Sequence, residues 1–334
     1  MRDIDELREL RDFDTGAPPL DDATRQRARA RLLAAIDGPA ARVRPRRPVL
    51  RIALTAGLAA AVAAGVLVAV RHDDGTTTHR TAKPPATSAP AMRNVSAQTV
   101  LKGAAAYERA HARTASPRDD QFIYTKEIIK ETNQKTGVTK SYVDENWRSV
   151  DGSQRSWIME IGHGWWSPPL KKGESVWPPQ DWGTLRKLPT DPKQLILSLK
   201  NEYGGHTTSL DDLSDEDWSQ IHFSLAGLLK LVPVMPEGLR PAAYEALGMV
   251  PGVKVVPDQK DAKGRTGVAI TYVDPTLPKG SRSFGGYFIF DPVTYEFLGF
   301  RDQRTSGDGA AMKTYTQLSY LDSWAVVDRV KERP

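Results

Sequence analysis

The chain has no cysteine. That excludes a disulfide framework, a thiolate metal site and a cysteine nucleophile. Any exported part must therefore draw its stability from an apolar core. Histidine is scarce. His72, His79, His111, His163, His206 and His222 are the only six, and none pairs with another at a metal-binding spacing. There is no His-Glu-x-x-His, no Gly-x-Ser-x-Gly elbow and no phosphate-cradling glycine loop. Asp211, Asp212, Asp215, Glu216 and Asp217 cluster, but without the glycine and distal glutamate of a calcium loop. They read as a solvated helix N-terminus. With no catalytic constellation, the chain reads as a non-enzyme without a cofactor.

Charge is missing from one stretch of nineteen residues, Ile52 to Val70. As a helix this run is about 28 Å long, close to the hydrocarbon thickness of a bilayer. It begins too deep in the chain for an ordinary secretory signal. Residues 49–70 are therefore expected to form one transmembrane helix. The alternative, a buried core helix, would normally carry a polar face. Arg42, Arg44, Arg46, Arg47 and Arg51 crowd the front of the run, whereas Arg71 and Arg80 behind it are offset by Asp73 and Asp74. That bias places residues 1–48 in the cytoplasm and the C-terminal part outside the cell membrane. Arg46-Arg47-Pro48-Val49-Leu50 also fits a twin-arginine export signal, although arginines before a span are expected in any case.

The net charge is +5, and the tail to Arg51 alone holds twelve arginines against nine acidic residues. The basic excess thus sits beside the membrane, where anionic lipid explains it, and no nucleic-acid partner is expected. Two short helices are expected in the tail. Ile4, Leu7, Leu10 and Phe13 recur every three residues in the first. The second runs from Asp21 to Asp37 with Ala28, Leu32, Ala35 and Ile36 on its apolar face. Helices this short bury little alone. Leu7, Leu10, Leu32 and Ile36 are therefore candidate contacts for a cytoplasmic regulator or the membrane surface. The bland alternative is an unstructured tail without a partner. Residues 71–91 are rich in Pro, Thr and Ala and read as a linker.

Residues 92–334 are expected to form an α+β domain outside the membrane. A helix from Ser96 to His111 opens it, with Ser96 as N-cap and Val100, Leu101, Ala104 and Ala105 as its apolar face. Three strands follow: one opening at Phe122, one near Tyr142 to Val150, and one placing Trp157, Met159 and Ile161 on one face. A turn at Asn133 to Gly137 and an Asp151-Gly152 turn separate them. Gly162-His163-Gly164 reads as a bend into an irregular stretch from His163 to Leu188. Helices are then expected from Asp191-Pro192, from a capping box at Ser214 and Asp217, and near Pro236 to Leu247. Five strands close the chain: Val253–Val256, Gly267–Val273, Phe284–Phe290, Tyr295–Arg304 and Met312–Val330. Strands without intervening helices argue for a curved antiparallel sheet packed on helices.

Four of the eight tryptophans, Trp165, Trp166, Trp177 and Trp182, fall in the irregular stretch. Its two Pro-Pro pairs forbid helix and central strand. Long loops rich in large stiff side chains are often functional. These tryptophans either line the mouth of an apolar cavity and touch a lipid, glycan or protein ligand, or plug the open end of the sheet.

The Arg-Ala-Arg-Leu-Leu segment of the tail, the Ala-rich span and the hairpin Phe-Ile-Phe-Asp-Pro-Val-Thr-Tyr-Glu-Phe-Leu-Gly from Phe288 to Gly299 occur together here. In this the chain resembles a family of single-pass actinomycete membrane proteins, often encoded beside extracytoplasmic-function sigma factors. That hairpin usually reads Asp-Pro-x-Thr-Gly, and Tyr295 replaces the glycine. The strand order is also similar to the half-barrels of LolA-type and LppX-type lipoprotein carriers and RseB-type envelope stress sensors. The resemblance implies a curved sheet wrapping helices and able to hold a lipid chain. Two functions follow as expectations. One is a sensing domain outside the membrane, coupled to a cytoplasmic regulator such as a sigma factor. The other is a membrane-tethered carrier or receptor for an apolar, lipid-like envelope ligand.

Overall fold

The computed structural model describes residues 95–334, except 112, 172–173, 175, 203–205, 279–282 and 308–311. The expected tail, span and linker, with Leu7, Leu10, Leu32 and Ile36, lie outside the described residues. Among the described residues no helix is long and apolar enough to cross a membrane.

The order is α1 (Ala97–His111), β1 (Phe122–Asn133), β2 (Thr139–Ser149), β3 (Ser156–Glu160) and β4 (His163–Ser167). Then come α2 (Trp182–Leu185), α3 (Pro192–Glu202), α4 (Asp215–Leu231) and α5 (Leu239–Leu247). The chain closes with β5 (Val253–Lys260), β6 (Thr266–Tyr272), β7 (Tyr287–Phe290), β8 (Phe297–Ser306) and β9 (Lys313–Val327). The nine strands form one curved, unclosed antiparallel sheet in the order β4-β3-β2-β1-β9-β8-β7-β6-β5. The last strand thus inserts beside the first: Phe122 faces Val327 and Asn133 faces Tyr315. The domain is α+β, as the strand pattern predicts.

The N-terminal helix is held as its sequence dictates. The Ser96 hydroxyl accepts from the Thr99 N–H at 3.1 Å, and Val100, Leu101, Ala104 and Ala105 are all buried. The capping box also forms: Ser214 and Asp217 each accept from the other's backbone N–H. Helices α1, α3, α4 and α5 pack on β6 and β7 to make the main core, into which Val268, Ile270, Phe288 and Phe290 project. The intervening Ala269 and Ile289 are buried on the opposite side with Leu298. Burial on both faces explains why β6 reads as a nearly unbroken apolar run.

Several expectations change. Four strands precede the helices, not three, because His163–Ser167 pairs with β3 as an edge strand. The bend is therefore shorter than the sequence suggests. Trp157, Met159 and Ile161 do not share a buried face; Ile158 is the buried residue of β3. Ile161 has left β3 altogether, with φ +52. The Asp144 carboxylate causes this, accepting from the N–H of Ile161 at 2.6 Å and of Gly162 at 2.8 Å. At the Asp291–Glu296 turn, Tyr295 adopts φ +63, the conformation a glycine would take. Its ring lies against Gly103 of α1, where even a Cβ would come within 2.4 Å of it. That packing supports the uncommon backbone.

Residues beyond β9 fold back over the sheet. Phe122, Tyr124, Trp147 and Val327 form a separate cluster there. The Trp147 indole donates to the Glu332 carbonyl at 2.6 Å, and Arg333 grips the Glu145 carboxylate with two hydrogen bonds. Burial, then the bond to Glu145, pushes the Tyr124 phenol up to about 12.

Candidate functional site

The sheet splits between β8 and β9. Strand β8 pairs with β9 only from Phe300 onward, whereas β9 continues beside β1 to Val327. Phe297 and Phe300 turn instead toward the helix core. Where the strands part, a cleft of about 720 Å³ opens between the β1–β2–β9 surface and the end of α4. That volume suits a medium-sized organic ligand.

The floor follows the strand period: alternate residues in the middle of β1 and toward the end of β2 face the cleft. From β1 these are Thr125, Glu127 and Ile129; from β2 they are Asp144, Asn146 and Arg148. Asn146 holds the Met159 N–H at 2.8 Å, and Asp144 holds the β3–β4 turn, so both are structural supports. Glu127 is different. Burial raises its carboxyl above the ordinary carboxylate range, with Asp144 adding to the rise and the Ser319 hydroxyl and Lys230 opposing it. At the other end of the floor, burial alone lowers the Arg148 guanidinium to about 10. The floor is thus polar and electrically uneven, with an acidic end and a basic end.

The walls are mixed. Ile158 and Ile161, Leu229 and Leu231, Leu321 and Trp324 supply apolar surface. Among the cations, Lys230 pairs with Asp302, and Arg240 donates to the Val232 and Pro233 carbonyls at 3.1 and 2.6 Å. Arg265 pairs with Asp261 at 2.7 Å. The Lys263 ammonium sits 4.3 Å over the Tyr320 ring. No group of three or more His, Asp or Glu among the described residues could hold a metal ion.

The four tryptophans of the irregular stretch do not converge. Trp165 lines the cleft and is 44 % exposed. Trp166 is its neighbour on an edge strand and so points to the opposite face. It meets Trp157 edge-on at 5.3 Å, with Arg155 and Lys331 over its ring. Trp177 stacks on Phe223 at 4.1 Å and abuts Phe284, which itself lines the cleft. Trp182 is buried in a small core with Ala115, Val150 and Val234. Thus Trp165 touches the cleft directly, Trp177 reaches it through Phe284, Trp182 packs a small core bordering a recess beside it, and Trp166 faces away.

Sequence reasoning misses Glu127, Asp144 and Arg148. A signal exists: Asp144, Asn146 and Arg148 alternate with Glu145 and Trp147, so one strand face is wholly polar. A solvated outer face would give the same pattern, and only the long-range pairing to β9 distinguishes the two. Comparison with known protein families, curated proteins and solved structures finds no match.

Proposed function

We propose that the chain is a single-pass membrane protein whose α+β domain lies outside the membrane and binds a ligand in the β8–β9 cleft. Its cytoplasmic tail then relays occupancy to a regulator such as a sigma factor. The observation that carries the binding half is the open cleft of about 720 Å³, lined by Trp165 and Phe284 and floored by polar side chains. The membrane half rests on the uncharged run from Ile52 to Val70 and the arginines before it. A carrier for a wholly apolar ligand is the second reading. The exposed aromatic rings favour it, but the charged floor disfavours a ligand with no polar group.

The relay is tested by crosslinking in intact cells of the native host, with the full chain as bait. Residues 1–48 are expected to capture one transcription regulator. Capture should be lost when Leu32 and Ile36 both become aspartate, since two charges on the apolar face abolish its docking surface. A blank in the unaltered chain would overturn the relay and leave ligand carriage as the function.

A further inference from the structure

The cleft holds five cationic side chains, and four of them are satisfied from within. Lys230, Arg240 and Arg265 have carboxylate or carbonyl partners, and Lys263 rests over an aromatic ring. Arg148 is the fifth. Among the described residues nothing accepts a hydrogen bond from it and no carboxylate pairs with it. Its only influence is the loss of water around it.

Its surroundings make that lack costly. The small recess joining the cleft at this point is mostly apolar, lined by Ile123, Val150, Trp182, Leu231 and Val234, and its polar side chains Thr125 and Gln180 make no hydrogen bond to Arg148. A guanidinium placed among apolar walls gives up hydration and, without a partner, recovers nothing. An unpaired ion in a cleft is a candidate binding site for a partner of opposite charge. The fork of a guanidinium matches the two oxygens of a carboxylate or phosphate. The nearest acids on the floor, Asp144 and its cross-strand neighbour Glu127, lie four residues back along β2, about 13 Å away. An incoming anion is thus drawn to the Arg148 end and kept from the other.

We propose that Arg148 is the anchor for the ligand's single anionic group, a carboxylate or phosphate on an otherwise apolar body, seated among Ile123, Leu231 and Trp324. This rests on the reading of the cleft as a ligand site and specifies its occupant as an anionic amphiphile. The apolar body lies along Leu321 and Ile129 toward the Trp165 side. The anchor makes two demands at once: it binds an anion, and it weakens the empty domain.

The test uses the full chain in nanodiscs of zwitterionic lipid, with empty nanodiscs as the blank. Octanoate, octyl phosphate, octanol and inorganic phosphate are titrated calorimetrically. Octanoate and octyl phosphate are expected to bind about ten- to a hundredfold tighter than octanol, the range of a charged hydrogen-bond pair. In Arg148→Met that preference should vanish while octanol binding persists, and Arg148→Lys should keep part of it. The Arg148→Met domain should also melt at the same temperature or higher, because an uncompensated charge has been removed. A lower melting temperature would show instead that Arg148 is a structural partner, and would overturn the proposal. Equal binding of octanol and octyl phosphate would overturn the anchor but leave the cleft as a ligand site. Inorganic phosphate binding as tightly as octyl phosphate would overturn the amphiphile. No binding by any probe would overturn both the anchor and the cleft reading.

Discussion

Replacing Gly299 with alanine is expected to destabilise the α+β domain by about 3 kcal/mol or more, the sum of backbone strain and forced overpacking. Gly299 has φ +141, a conformation almost closed to residues with a side chain. It sits where β8 leaves β9, opposite Ile289 of β7. A Cβ there would lie 2.2 Å from the backbone carbonyl oxygen of Ser319. That atom belongs to a central strand and cannot yield without moving β9. The collision falls at the sheet's split, so the variant should disturb the cleft as well as lower stability. Chemical denaturation followed by tryptophan fluorescence checks it. A denaturation midpoint matching that of the unaltered chain would show that β8 does not approach β9 so closely.

Acid is expected to weaken the fold through His222. The imidazole is buried on α4 and stacked 3.9 Å from the Tyr272 ring. Burial lowers its pKa from 6.5 to about 4, against a smaller opposing pull from Asp274. The folded state therefore keeps the ring neutral where the unfolded chain would protonate it. Above pH 6.5 both states are neutral and the group has no effect. As pH falls from about 6.5 toward 4 the unfolded chain takes up the proton alone, and stability is lost. At 1.36 kcal/mol per pH unit the loss approaches about 3 kcal/mol. His222→Gln should remove this portion of the acid sensitivity while leaving that of the carboxylates. Stability measured from pH 7 to pH 4 should therefore fall less steeply in the variant than in the unaltered chain. Parallel curves would contradict a buried neutral imidazole.

The parts legible in the sequence are those fixed by neighbours in the chain. Ser96 and Ser214 mark their helices because a hydroxyl reaches an N–H three residues on. Asp291 marks its turn by binding the Val293 and Thr294 N–H groups, each at 2.8 Å. Val268, Ile270 and Tyr272 alternate along β6, and that spacing alone puts the three on one face, which packs into the core. What sequence patterns leave open is set by distant partners. Nothing local places β9 beside β1, and that pairing creates the cleft. Ile161 leaves its strand because of Asp144, seventeen positions back. The adjacent Trp165 and Trp166 were bound to separate once their segment became a strand, since consecutive side chains point to opposite faces. Two Pro-Pro pairs downstream conceal that the segment is extended. Trp182 packs a small core and also borders the recess beside Arg148, a place that only the tertiary fold defines.

The central claim is that the cleft carries a ligand in the cell. The most direct measurement is native mass spectrometry of the full chain released from its own membranes in mild detergent, beside Gln317→Trp. Gln317 is half-buried and faces the cleft from β9, so an indole there narrows the cleft at the end away from Arg148 while the sheet pairing is kept. The unaltered chain should show a discrete bound mass whose occupancy falls in the Gln317→Trp chain, with both equally stable to denaturant. Two bare and identical spectra, apart from the substitution itself, would contradict the account.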